Sequence, residues 1–341
     1  MSSYTATILE DLVPERHSLT LSYRDSFIKS AHSTSQWRLT AVYSRTEEAA
    51  KAFASKYSVT TTYTSLSSLA KDPNIQVIYI ASPNSLHYEH TRLVLEAGKH
   101  VILEKPSTST SAELESLFAL AKSKNLFLLE AYRHIQEANF HTLKHFLDSG
   151  ALGTPFGASL TYATYSSRYD AVLSGEVPNI FSLDFSGGSL VDIGVYPIAF
   201  AIALWGAPKS STYAAYICPT GVDGGGVITL QYDGFGVQIN QSKCYKSGAP
   251  TEIYGSNGTV TINATTDIES IRFWDRRTKE TRELAGKKRE FNLAEEAEEF
   301  ARIVNEKDWG AAEKLEKISR SVLEVTEKLR RENGIVFKVE R

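Results

Sequence analysis

The hydrophobic rhythm of the chain changes partway along. In the first third, short apolar runs alternate with amphipathic stretches. Arg38–Tyr43 is strand-like, and Glu47–Lys56 places its alanines and phenylalanine where one helical face would bury them. Val77–Ala81 is an apolar run, the pattern of a strand covered on both faces. Ser85–Ala97 predicts a helix stopped by Gly98, which can take the left-handed conformation that ends helices. His100–Glu104 predicts a strand, Ser111–Lys124 a helix and Leu126–Glu130 another strand. Nearer the amino end, Thr5–Leu9 predicts a strand and Tyr23–His32 a helix. Strands alternating with helices imply right-handed crossovers and a Rossmann-like doubly wound parallel sheet.

From about residue 156 the pattern becomes strand after strand: Gly157–Tyr165, Tyr213–Pro219, Gly226–Tyr232, Val237–Cys244, Glu252–Gly255, Thr259–Ile262 and Ile271–Trp274. Asp223-Gly224, Asp233-Gly234 and Ser256-Asn257-Gly258 read as turns between them, and Gly224-Gly225-Gly226 as a hairpin turn. Helices are expected at Asn139–Ser149, Tyr196–Trp205, Leu293–Glu306 and Gly310–Asn333. The expected class is therefore α/β in two domains. Residues 1–132 form the Rossmann-like domain, and residues 133–341 form an α+β domain with a large, mainly antiparallel sheet and the carboxyl-terminal helices.

Composition narrows the partners. Hydrophobic residues make up 42% of 341, enough for a real core. A net charge of −3 leaves no basic excess for the phosphates of nucleic acid or of an anionic membrane. The first residues carry no basic segment before a long apolar run, so a secretory signal is not expected. The apolar run near Ile198–Leu204 is too short to span a bilayer. Cys218 and Cys244 lack metal-ligand spacing and suggest no disulfide framework, which fits a reduced cytoplasmic compartment. His141 and His145 share a helical face, as do His87 and His90, but neither pair has an obvious third ligand, so no metal site is expected.

Two stretches carry candidate chemistry. Glu104-Lys105-Pro106 follows a strand at its carboxyl end, the edge where open α/β sheets bind ligands. Taken alone, Lys105 is equally well a solvated loop lysine. Asp192-Ile-Gly194-Val-Tyr196 follows a Gly-Gly turn and opens a helix, where positions i and i+4 share a face. A tyrosine near a lysine can serve as general acid–base, because an ammonium lowers the pKa of a phenol. An N-cap aspartate followed by a packing tyrosine gives the same pattern.

Together the pieces are more specific. Glu104-Lys105-Pro106, followed by Gly187-Gly188-x-Leu190-x-Asp192-x-Gly194-x-Tyr196, resembles the glucose–fructose oxidoreductase/inositol dehydrogenase (Gfo/Idh/MocA) family. The resemblance extends to Ala81-Ser82-Pro83-Asn84-Ser85-Leu86-His87, to Glu130-Ala131-Tyr132-Arg133 and to Glu252-Ile-Tyr-Gly255-Ser-Asn-Gly258-Thr. Ser166-Ser167-Arg168-Tyr169-Asp170 and Pro178-Asn179-Ile180-Phe181 are similar to a subgroup's substrate loop. The resemblance implies that Lys105, Asp192 and Tyr196 surround the reacting carbon, with Tyr196 exchanging the hydroxyl proton. It implies that Pro83, Asn84, His87 and Glu104 serve the nicotinamide side. Ser44 and Arg45 stand where members that prefer NADP place an arginine for the 2′-phosphate. Arg133, Arg168, Tyr169 and Asn179 would contact a small sugar-like or cyclic diol substrate. A homodimer through the large sheet is also implied.

One family feature is missing. No glycine precedes Gly98, so the first strand cannot lead into the usual glycine-rich phosphate loop. Glu10, Asp11 and Glu15 stand there instead, with Arg16, His17 and Arg24 nearby. Weak binding of NADP(H), or of NAD(H) in its place, or no cofactor binding at all, is therefore expected. Three functions stay open on the sequence: NADP(H)-dependent hydride transfer, a non-redox isomerase, lyase or cyclase using the same Lys105, Asp192 and Tyr196, and a ligand-sensing regulator.

Overall fold

The computed structural model describes residues 4–10 and 19–341. The chain divides into two compact units. The first runs to Ala131 and takes back Arg289–Arg320, while the second comprises Tyr132–Lys288 and Ser321–Arg341. The expected division at 132/133 left all carboxyl-terminal residues in the second domain, whereas residues 289–320 pack with the first.

The first unit alternates β1 (Tyr4–Glu10), α1 (Leu19–Ser33), β2 (Trp37–Ser44), α2 (Glu47–Ser55), β3 (Thr61–Tyr63), α3 (Leu66–Ala70), β4 (Val77–Ile80), α4 (His87–Glu96), β5 (His100–Leu103), α5 (Ser111–Ser123) and β6 (Leu128–Glu130). All its strands pair in parallel, in the order β3-β2-β1-β4-β5-β6. The order reverses between β1 and β4, the switch point at which such sheets bind ligands beyond their carboxyl ends. Local chemistry sets the helix starts. Thr46 accepts from Ala49 N at the start of α2. Thr110 and Glu113 form a reciprocal capping box at the start of α5, satisfying two otherwise orphaned N–H groups. The core joins Phe27, Val42, Val77, Tyr79, Ile102 and Leu129 to Phe300 and Ile303.

The second unit holds α6 (Ala138–Asp148), β7 (Pro155–Ala163), α7 (Ser167–Leu173), α8 (Val195–Trp205), β8 (Ser210–Ile217), β9 (Asp223–Gln231), β10 (Gly236–Ser242), β11 (Thr251–Gly255), β12 (Gly258–Ile262), β13 (Ile271–Asp275) and β14 (Thr281–Glu283). The chain then forms α9 (Ala294–Glu306), which packs with the first unit, and α10 (Trp309–Glu332), which the division splits after Arg320. The eight strands run β14-β13-β12-β11-β7-β10-β9-β8. Every neighbouring pair is antiparallel except β7–β10. α8 is apolar on every side because it is buried along almost its whole length.

The glycine triplet corrects the sequence reading. Asp223, Gly224, Gly225 and Gly226 lie inside β9, and the turn falls earlier, where Cys218 N bonds Val222 O and Gly221 N bonds Cys218 O. A Cβ on Gly226 would lie 2.2 Å from Ala214 O, and one on Gly225 would lie 2.5 Å from Ser242 Oγ. The glycines let β9 press between β8 and β10.

Candidate active site

The first unit gathers its candidate residues at the carboxyl ends of its strands. Ser44 ends β2 opposite Glu10 of β1, and Arg45 follows it exposed. The Ser44 hydroxyl is buried with no hydrogen-bond partner among the described residues. A buried orphan hydroxyl beside an exposed arginine, at this edge of a β3-β2-β1-β4-β5-β6 sheet, fits the ribose end of a dinucleotide. Residues 11–18, where the glycine-rich loop would fall, lie outside the described residues.

Beyond β4, Pro83 leads into a single helical turn over Asn84–Leu86 and then α4. His87, 1% exposed, is a strut between two loops. Its Nδ1 lies 2.8 Å from Pro106 O and its Nε2 2.8 Å from Ser82 O. Burial depresses its pKa to about 4, against the two carbonyls, which favour the charged ring. The neutral ring donates to one carbonyl only. His87 thus holds the β4 and β5 loops together from inside and is not open to a ligand. Beyond β5, Glu104 accepts a short hydrogen bond from the Tyr79 hydroxyl, and Lys105 N donates to Glu104 Oε2 at 3.3 Å. The Lys105–Pro106 peptide is cis. Glu130, ending β6, accepts from Ser107 N at 2.8 Å and so fixes the stretch after Pro106.

The second unit presents Asp192 and Tyr196 on one continuous helical segment. Leu190–Gly194 is a π turn that passes directly into α8, so the plain i, i+4 helical face expected from sequence is replaced by a wider turn at Asp192. Such π turns recur at functional sites. Gly187 permits the approach, since a Cβ there would lie 2.5 Å from Ile180 O. Tyr196 is 2% exposed, its ring edge-on to His134 at 5.1 Å and to Tyr162 at 5.4 Å. His134 Nε2 lies 2.9 Å from Tyr196 O.

Residues that the sequence did not single out fix this turn. Leu190 N and the Tyr213 hydroxyl both donate to Asp223 Oδ2 at 2.7 Å. Gln241 Nε2 donates to the Tyr213 hydroxyl at 2.7 Å, and the Ser189 hydroxyl donates to Gln241 Oε1 at 2.5 Å. This buried chain ties the turn to β8, β9 and β10. Burial raises Asp223 to about 6, while the bonds from Tyr213 and Leu190 oppose the rise. Lys243, just past β10, forms a short ion pair with Asp192 Oδ2. Single polar residues in or beside strands leave no functional pattern in a sequence, and Asp223 reads there only as a turn residue.

The remaining candidates divide. Arg133 is buried, with Nη1 3.3 Å from Glu137 and Nη2 2.5 Å from Asp267. Glu137 also accepts from the backbone N–H groups of Asp267 and Ile268 at 2.8 Å. Arg133 therefore clamps the start of α6 to the strand-connecting loop at residue 267. Tyr169 is buried, its hydroxyl 3.0 Å from that of Tyr216. Arg168 and Asn179 are half-buried, on α7 and on the short turn after Pro178. Cys218 and Cys244 are free thiols 4.0 Å apart over Gly224. The Cys218 contact, then Tyr169 and the Lys243 ammonium, lowers the pKa of Cys244.

Residues 23–132 match the oxidoreductase family with an NAD-binding Rossmann fold, and residues 140–261 match the GFO/IDH/MocA carboxyl-terminal domain. The chain belongs to the Gfo/Idh/MocA oxidoreductase family. The expected family and fold class both hold. An NADP-dependent scyllo-inositol 2-dehydrogenase from Bacillus subtilis is 38% identical over 319 residues, covering 93% of this chain and 96% of its own. A mouse trans-1,2-dihydrobenzene-1,2-diol dehydrogenase is 32% identical over 239 residues, 69% of each chain. A solved 3-ketoreductase from Actinomadura kijaniata, in complex with NADP and TDP-benzene, has the same fold. Its TM-score is 0.78 at 20% identity, over 96% of this Gfo/Idh/MocA chain and 97% of its own.

Proposed function

We propose that this protein is an NADP(H)-dependent oxidoreductase that interconverts a hydroxyl and a carbonyl on a polyol, sugar or cyclic diol. The observation that carries the reading is the joint presence of Glu104-Lys105 just past β5 and of Asp192 on a π turn that runs directly into α8 and Tyr196. Both occur in a chain 38% identical to an NADP-dependent inositol dehydrogenase along almost its whole length. When bound, the nicotinamide supplies the hydride acceptor or donor. Tyr196 takes the hydroxyl proton on oxidation and returns it on reduction. Lys105 supplies positive charge beside the oxygen that becomes anionic, and Asp192 orients the substrate hydroxyl. Arg45 pairs with the 2′-phosphate, and Ser44, Pro83 and Asn84 line the cofactor side. Glu104 and His87 hold that edge in place from behind. Arg168, Tyr169 and Asn179 contribute to the substrate loop, with Arg133 as its buried anchor.

The protein works in the cytoplasm on a small molecule, as a homodimer. Exposed Tyr216, Val227 and Trp274 on the strands of the large sheet support pairing with a second copy. Light scattering that found a monomer at micromolar concentration would remove the dimer.

The decisive assay adds NADP+ and, in turn, scyllo-inositol, D-xylose and trans-1,2-dihydrobenzene-1,2-diol, and follows nicotinamide absorbance. Reduction of NADP+ with one of them is expected. Cofactor-independent turnover of a ketose, with no NADPH formed from any of the three, would favour isomerisation or elimination instead. Without glycine at residues 11–18, NADPH should bind more weakly than submicromolar in calorimetry. Submicromolar binding would show that another loop replaces the glycine cradle.

A further inference from the structure

We propose that Lys243 is a positioning residue for the reaction and sets the Asp192 carboxylate from within the second unit. The inference rests on the oxidoreductase reading above. Three observations carry it. The Lys243 ammonium forms a short ion pair with Asp192 Oδ2, and the side chains are only 9% and 20% exposed. A pair so enclosed is screened little by solvent and holds its geometry more firmly than a surface pair. The backbone of Lys243 is pinned on both sides, its N–H donating to Gly224 O and its C=O accepting from Ser166 N, each at 2.9 Å. The ammonium therefore rises from a fixed point at the end of β10. Finally, Asp192 stands on a π turn whose neighbours Ser189 and Leu190 are tied to Gln241 and Asp223. The backbone of the turn and the carboxylate it carries are held by the same edge of the sheet.

The consequence is a division of labour between two lysines. Lys105 lies in the first unit and is placed at the reacting oxygen by the proposed function. Lys243 lies in the second and need not touch substrate. It keeps the Asp192 carboxylate aimed, so that it accepts a hydrogen bond from a substrate hydroxyl whether or not cofactor is bound.

The test is a cycle of Lys243→Met, Lys243→Arg, Asp192→Asn and Lys243→Met/Asp192→Asn, assayed with scyllo-inositol and NADP+. Lys243→Met should lower kcat on the order of tenfold to a hundredfold while the KM for NADP+ changes less than about twofold. Lys243→Arg, which keeps the charge, should recover most of the loss. In the Asp192→Asn background, Lys243→Met should cost less than about twofold further, because the group through which it acts is gone. An equal loss in both backgrounds, or no recovery with arginine in a protein that melts normally, would overturn the proposal. The parent and the same four variants titrated with scyllo-inositol by calorimetry separate the two ideas. Binding that follows the cycle without any turnover in the parent would sink the redox reading and keep Lys243, whereas normal turnover with Lys243→Met would sink Lys243 alone. A parent that neither binds nor turns over scyllo-inositol while oxidising D-xylose moves the cycle to D-xylose, with the same outcomes.

Discussion

The two units hold their functional residues in opposite ways. In the first, the partners seen among the described residues are close neighbours on adjacent strand ends: Ser82 and Pro106 for His87, Tyr79 for Glu104, Ser107 for Glu130. The second assembles its turn from Tyr213, Asp223 and Gln241 on three strands, and Lys243 just past one of them, which come together only when the sheet forms. A parallel sheet lines up its loops along one edge by construction, so short-range bonds suffice there. A helix resting on a mixed sheet has no such edge and needs long-range polar struts.

The contrast is open to measurement, beginning with the reaction itself. Tyr196→Phe keeps the ring that packs against His134 and Tyr162 but removes the hydroxyl. Turnover should fall by about 10²–10⁴-fold with an unchanged melting temperature. A variant as active as the parent would exclude Tyr196 as the proton carrier.

Asp223→Ala should act on architecture and activity together. It leaves the Leu190 N–H and the Tyr213 hydroxyl buried without their acceptor, at a cost of about 3 kcal/mol or more. Denaturant unfolding checks the stability, and a parallel drop in turnover would show that the strut sets the turn. A stable, fully active variant would mean that the network is dispensable.

Acid should separate the units with a similar energy. Burial holds His87 and His100 at about 4, below their ordinary 6.5. Between those values the unfolded chain binds more protons than the folded one, so the first unit loses stability as pH falls from 6.5 through 4, by roughly 3 kcal/mol per histidine. Asp223 acts in the reverse sense, since its raised value makes the folded second unit bind the extra proton between 3.8 and about 6. Its contribution therefore falls as pH rises through that window. Hydrogen exchange at pH 7 and pH 5 should show the first unit loosening more, and equal acceleration in both would refute the contrast. The smallest effect belongs to a local device. Thr110→Ala removes the cap of α5 and should cost about 1 kcal/mol by thermal unfolding, with no change in turnover.

How much of this was legible in the sequence follows the same line. The Rossmann pattern, Glu104-Lys105 and the Asp192–Tyr196 segment all lie in contiguous runs whose spacing mirrors one element. The short β3, α3, α7 and β14 lacked enough residues to show a period. In sequence the glycines of β9 read as a turn, because a close strand approach looks the same as a bend. Asp223 reads only as a turn residue, and Gln241 and Lys243 leave no signal at all, because their partners are set by strand register, which no local pattern encodes.

The return of residues 289–320 to the first unit bears on the order in which the protein is made. Phe300, Ala301 and Ile303 of α9 lie in the core beside Phe27 and Val77, and the Trp37 indole donates to Ala297 O at 2.7 Å. A nascent chain emerging from the ribosome therefore displays the parallel sheet early but cannot cover it until α9 has been synthesised. All eight strands of the intervening second unit are synthesised before then. The half of the molecule that is translated first is thus the half that closes late, and during that interval its uncovered apolar surface is what a chaperone would meet.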